Sequence, residues 1–202
     1  MARRPDISSH RLAEVHHEMV TCRRGFREDG EFFKATDAWK ELCDASDTWS
    51  IKLYWGRETE DYKRKAGVIS LDGRVTLTAD RRLWELAEQG QMFANFVFAH
   101  ELGHIGLDHH SRGAVTKNFQ LFSGPNGASN LPPTSEELEA NYAAVSFMCG
   151  AALEDERWNP YELARRSFCD PYYVKRMARL IKLGPVQREL NLLRSPKPRV
   201  VL

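Results

Sequence analysis

Cysteine is scarce in this chain. Among 202 residues there are four, Cys22, Cys43, Cys149 and Cys169, and none forms a CxxC pair. That spacing excludes a disulfide scaffold, a zinc finger and a thioredoxin-type redox site, and it makes a reducing cytoplasm the expected compartment. Long apolar runs are missing too: nothing approaches the roughly 18 consecutive residues that a membrane-crossing helix needs. The opening Met1-Ala2-Arg3-Arg4-Pro5-Asp6 has paired arginines with no apolar stretch behind them, so it does not read as a signal peptide. No internal repeat or low-complexity tract is visible. Net charge is almost absent, at +1, but it is unevenly spread. Residues 157–202 hold 11 Lys/Arg against 3 Asp/Glu, and residues 1–156 hold 18 against 25. A basic tail on an acidic body suits an acidic partner, a nucleic acid, or simply a solvated helical face.

What remains is an ordinary globular composition, 42% apolar and 28% charged, sufficient for a sizeable core. Spaced apolar positions over 10–45 (Leu12, Val15, Met19, then Phe32, Phe33, Trp39, Leu42) predict one or two amphipathic helices broken around Gly25–Gly30. His10, His16 and His17 read there as a solvated face. Residues 48–55 alternate and are rich in aromatic and β-branched types, as a strand requires. Residues 67–78 read as a hairpin about Asp72-Gly73, a dipeptide that tolerates the positive φ angles of a tight turn. A short helix is predicted over 81–89, a loop over 111–134, a helix from Thr134 or Ser135 towards Gly150, and two more at about 160–167 and 171–183. The final residues, with Pro196 and Pro198, read as a frayed tail.

The strongest segment is 91–109, apolar nearly all round and therefore expected to be a central buried helix. Within it lies His100-Glu101-Leu102-Gly103-His104, an HExxH pattern. Residues i and i+4 project from one helix face, so both imidazoles can reach a single cation. Glu101 lies about 100° round the helix from His100, where a carboxylate can take a proton from water held by that cation. A chance match in a chain of this length and composition is about one to two per cent. The setting sharpens it: burying two imidazoles and a carboxylate uncompensated would cost several kcal/mol, and a metal removes the conflict. Gly103 and Gly106 point to a close approach by another backbone or to the end of the helix.

A catalytic zinc site usually takes a third protein ligand. One route is local, through His110, although the glycine that would turn the chain back stands at Gly106 rather than at position 107. The other is a later glutamate: Glu136, Glu137 or Glu139. The segments "FAHELGHIGLDH" and "ELEANYAA" resemble the ImmA/IrrE-type (DUF955) zinc metallopeptidases over about residues 66–150. That resemblance implies Glu137 as the third ligand, with Asn141 one turn on as the acceptor that fixes a ligating ring. Thr134 and Glu137 equally fit a capping box. Candidates for an oxyanion donor are His109, His110, Arg112, Tyr142, Tyr172 and Tyr173.

The expected fold is α+β, a gluzincin-like zincin core with a small antiparallel sheet, a central HExxH helix and a helical C-terminal lobe. Three segments are expected: 1–60 as an N-terminal helical and strand segment, 61–156 as the catalytic core, and 157–202 as a basic tail. Residues 161–176 resemble a helix-turn-helix with Phe168 in the usual place of the turn glycine, so DNA contact competes with a packing role. The functional expectation is a zinc-dependent endopeptidase, with His100, His104 and Glu137 on Zn2+ and Glu101 as general base. By resemblance its substrate is a protein, such as a helix-turn-helix repressor encoded nearby on a mobile element. The alternative is a non-catalytic, metal-stabilised module that binds a repressor or DNA.

Overall fold

The computed structural model describes residues 7–57, 66–109, 116–118 and 134–195. Asp72 and Gly73 both take positive φ, +50° and +73°. They close a two-residue turn between β2 (Ala66–Leu71) and β3 (Arg74–Asp80), whose antiparallel pairing begins at Leu71 and Arg74. Val75, Leu77 and Ala79 of β3 alternate into the core, as the period of two demands. β1 (Trp49–Tyr54) flanks the other side of β3, and β4 (Thr116–Asn118) flanks β2, for an order β1-β3-β2-β4.

The sheet is mixed, which corrects the expectation of an antiparallel one. β1 runs parallel to β3, from Trp49 opposite Val75 to Tyr54 opposite Asp80. The hairpin gives one side of β3 to β2, so β1 must take the other. It enters at the end where β3 starts, with the Val75 N–H donating to the Thr48 carbonyl at 2.8 Å. Alternation along a strand reveals which face is buried but not which way its neighbour runs. β4 is a second correction, since it lies in the stretch expected to be loop. The rest of the Gly/Pro-rich stretch 119–133 and the tail with Pro196 and Pro198 lie outside the described residues.

Eight α-helices complete the described residues: α1 (Ser9–Arg24), α2 (Ala35–Ala45), α3 (Arg81–Glu88), α4 (Met92–Gly106), α5 (Ser135–Cys149), α6 (Pro160–Arg166), α7 (Pro171–Ile181) and α8 (Gly184–Arg194). Most start on a side chain that accepts a backbone N–H of the first turn, among them Ser8, Asp80, Thr134, Asn159 and Asp170. α8 has no counterpart in the sequence reading. Gly184-Pro185 looks like a breaker, but proline is tolerated in a first helical turn, and Val186 and Leu190 then bury one face.

α4 is the axis of the core. Phe96, Val97, Phe98 and Ala99 are fully buried. Asn95 is buried with them and satisfied: its Oδ1 accepts the Ala35 N–H at 2.9 Å and its Nδ2 donates to the Ala87 carbonyl at 2.8 Å. It thereby joins α2, α3 and α4. α5 lies against α4 at very short range. A Cβ added at Gly103 would sit 2.9 Å from the Ala143 Cβ and 3.0 Å from the Ala140 carbonyl oxygen. Gly106 serves a different purpose, since its neighbour is the Met19 side chain of α1 and not a backbone.

On the far side of α5, His16 is buried rather than solvated, which corrects the expectation for that residue. Its Nδ1 is 3.0 Å from Ser146 Oγ and its Nε2 is 3.1 Å from Glu154 Oε1. Arg194 of α8 donates to both Glu154 oxygens, at 2.9 and 2.6 Å. This chain ties α1, α5 and α8 together.

Two measurements follow. Gly103→Ala gains helix propensity of about 1 kcal/mol but forces two backbones apart. The expected net result is a loss of about 1–2 kcal/mol in urea denaturation; a stabilised variant would contradict the close approach. For Glu154, burial alone raises the carboxyl, but hydrogen bonds from His16 and Arg194 outweigh it and bring the group down to about 2. Its stabilisation is therefore complete above the unfolded value near 4.5 and lost as pH falls towards 2, worth about 2–3 kcal/mol. Glu154→Gln should lower stability at pH 7 and flatten its dependence across that window.

Candidate metal centre

His100 and His104 leave one face of α4 a turn apart, both buried, with their Nε2 atoms 3.0 Å from each other. Glu137, in the first turn of α5, faces them. Its Oε2 is 3.2 Å from His100 Nε2 and its Oε1 is 3.4 Å from His104 Nε2. Among the described residues these three side chains are the group of His, Cys, Asp or Glu that could hold a metal ion. A tetrahedral ion with bonds of about 2.0–2.1 Å keeps its donors about 3.3 Å apart. The three separations, with a different Glu137 oxygen facing each ring, lie near that value.

The outer contacts support the same arrangement. Asn141 Oδ1 is 3.1 Å from His100 Nδ1. An amide oxygen only accepts, so Nδ1 carries a hydrogen, and Nε2 is the nitrogen that would give its lone pair to a bound cation. Asn141 lies one turn after Glu137, so a single helix supplies both groups. Its first turn is set by Thr134, whose Oγ1 accepts the Glu137 N–H at 3.3 Å. This is half of the capping box; the Glu137 carboxylate turns to the histidines rather than back to the cap. Burial by itself raises the Glu137 carboxyl, but hydrogen bonds and charge from His100 and His104 hold it well below the usual carboxylate range.

Glu101 is 1% exposed, and neither of its carboxylate oxygens makes a complete hydrogen bond among the described residues, although the Val68 N–H lies close enough to favour the charged form. Burial pushes its carboxyl well above the ordinary value, and the nearby Glu137 charge adds to this; the Val68 N–H of β2 pulls weakly the other way. An unsatisfied buried carboxyl costs several kcal/mol unless something fills the space it faces. A cation with attendant water, beside His100, would satisfy it. On donor type, spacing and this orphaned acid, the residues fit a zinc ion.

Compared with protein-family models, curated proteins and solved structures, the chain matches none.

Of the other sequence candidates, Glu139 turns away from the histidine pair. Its Oε2 accepts from Arg11 Nε at 3.0 Å and from an Arg11 terminal nitrogen at 2.7 Å. Glu136 is not in the donor group. His110 and Arg112 lie outside the described residues. Tyr172 is exposed on α7, Tyr142 is buried with the Arg176 guanidinium 5.7 Å from its ring centre, and Tyr173 stacks on Phe96 at 4.2 Å. His109 is 2.9 Å from His104, Nδ1 to Nδ1, and its Nε2 is 3.4 Å from Glu139 Oε2.

The turn that brings His109 back was missed in the sequence because the glycine was sought at the wrong place. Asp108 takes the left-handed conformation, φ +54°, which aspartate tolerates better than most residues. The Asp108 and His109 N–H groups then bond the Ile105 and His104 carbonyls, at 2.9 and 3.0 Å. This is a Schellman closure of α4. In the basic tail, Phe168 adopts φ +52° between α6 and α7, so the turn keeps the conformation for which a glycine is usual. Tyr172, Lys175, Arg176 and Arg179 line the exposed side of α7, and Lys182 is exposed just past its end.

Zinc should bind the purified chain and raise its unfolding midpoint, the stabilisation reaching about 2.7 kcal/mol at a hundredfold excess over the dissociation constant. His100→Ala, His104→Ala and Glu137→Gln should each remove that increment. A midpoint indifferent to zinc would disprove the centre.

Proposed function

We propose that this protein is a zinc-dependent endopeptidase of the ImmA/IrrE type with a gluzincin-like core, acting in the cytoplasm. The observation that carries the reading is the convergence of His100, His104 and Glu137 beside a buried Glu101 whose oxygens make no complete hydrogen bond among the described residues. A purely structural metal site has no use for that fourth, uncompensated acid, since structural sites close with their own ligands.

In this mechanism His100, His104 and Glu137 would hold the ion, with Asn141 fixing the His100 ring. A zinc ion held by them would supply an acidified water and polarisation of the scissile carbonyl. Glu101 accepts the proton of that water and returns it to the leaving amine. Its position next to His100 on α4 keeps it beside the reacting oxygen without making it a ligand. The resemblance of the motif segments supports a protein substrate, a helix-turn-helix transcriptional repressor, so the activity would relieve repression by proteolysis. The exposed cations of α7 are not needed for this chemistry.

The test is Glu101→Gln in a cleavage assay with a helix-turn-helix repressor. Turnover should fall by about 100-fold or more, with zinc content and folding unchanged. Equal turnover in the variant would overturn the hydrolase assignment. Absence of cleavage by the zinc-loaded wild type across candidate repressors would favour a binding module instead.

A further inference from the structure

We infer that His109, Glu139 and Arg11 form a positioning relay that orients the ligand His104 from outside the metal centre. The inference rests on the metal-centre reading above and goes beyond it, since none of the three residues belongs to the donor group.

The chain is determined atom by atom. A cation at the donor centre takes the lone pair of His104 Nε2, so His104 must carry its hydrogen on Nδ1. That Nδ1 is 2.9 Å from His109 Nδ1, which must then accept. His109 is thereby fixed as the tautomer with its hydrogen on Nε2, facing Glu139 Oε2 at 3.4 Å. The same oxygen is held by two nitrogens of Arg11, at 3.0 and 2.7 Å. Every link has one donor and one acceptor, and the direction is set from the ion outwards. Burial favours the relay: His109 is 7% and Glu139 17% exposed at the side chain.

Three separate pieces of chain must meet for this. Asp108 turns the end of α4 so that His109 faces back, α5 supplies Glu139 two residues after Glu137, and α1 supplies Arg11. The two ligating rings are thus oriented by different means. His100 rests on a neutral amide, Asn141. His104 rests on an imidazole backed by a carboxylate and a guanidinium. Such outer partners fix ring orientation and raise ligand basicity, and losing one typically costs 10- to 100-fold in metal affinity.

The test measures zinc dissociation constants of the full chain by chelator competition, with the cobalt-loaded absorption spectrum as a report on ligand geometry. His109→Ala should weaken zinc binding by about 10- to 100-fold and alter the cobalt spectrum. Glu139→Gln should weaken it in the same direction, and Arg11→Met more mildly, while metal-free thermal stability of the folded variants changes little. If His109→Ala does not fold, Glu139→Gln and Arg11→Met, both partly exposed, decide the matter. Zinc affinity within twofold of wild type in these variants, with His100→Ala still abolishing binding, would overturn the relay and leave the metal centre standing. Failure of the wild type itself to bind zinc would remove both.

Discussion

The structure depends on one electrostatic conflict and its resolution. Two imidazoles and two carboxylates, His100, His104, Glu101 and Glu137, lie together where α4 meets α5, largely shut off from solvent. In an otherwise apolar interior such a cluster would be expelled or neutralised. Here each group but one is tied: His100 to Asn141, His104 to His109, and Glu137 to both rings. The exception is Glu101, whose oxygens make no complete hydrogen bond among the described residues. The arrangement makes sense as the inner surface of a site for a positive ion, and the surrounding fold is organised to hold its parts at fixed distances.

The elements that fix those distances come from distant parts of the chain. Asn95 joins α2 and α3 to the base of α4. α1 reaches the centre's outer side through Arg11 and, five residues further on, reaches α5 and α8 through His16 and Glu154. Polar residues buried among apolar ones are costly when partly satisfied and specifying when fully satisfied. In this protein they mark the helix junctions, where side-chain packing alone would permit sliding.

Much of this was legible in the sequence because it is local. The HExxH helix follows from a continuous apolar segment, the hairpin from Asp72-Gly73, and the helix carrying Glu137 and Asn141 from Thr134 and the i, i+4 spacing. Features set by pairing between distant segments were not legible. The parallel course of β1 depends on which side of β3 remains vacant, and no strand pattern records that. Arg11 and Glu139 are 128 positions apart, and nothing in either neighbourhood signals the other. α8 was not anticipated, and the glycine and proline at its start do not advertise a helix although proline suits a first turn. Asp108 was overlooked because glycine is the habitual sign of a left-handed residue. His16 looked solvated because its partners, Ser146 and Glu154, lie more than a hundred residues away.

The bare Cα hydrogen of Gly103 has a consequence for ion choice. It sets how near α5 can come to α4, and with it the bite between the histidine pair and Glu137. Donor separations of 3.0 to 3.4 Å suit a small ion with short bonds; calcium, with bonds of about 2.3–2.6 Å and six to eight oxygens, would need the helices prised apart. The interhelix contact would therefore act as a calliper for any ion held there: the space is set by a methyl group that is not present, at a residue outside the donor group.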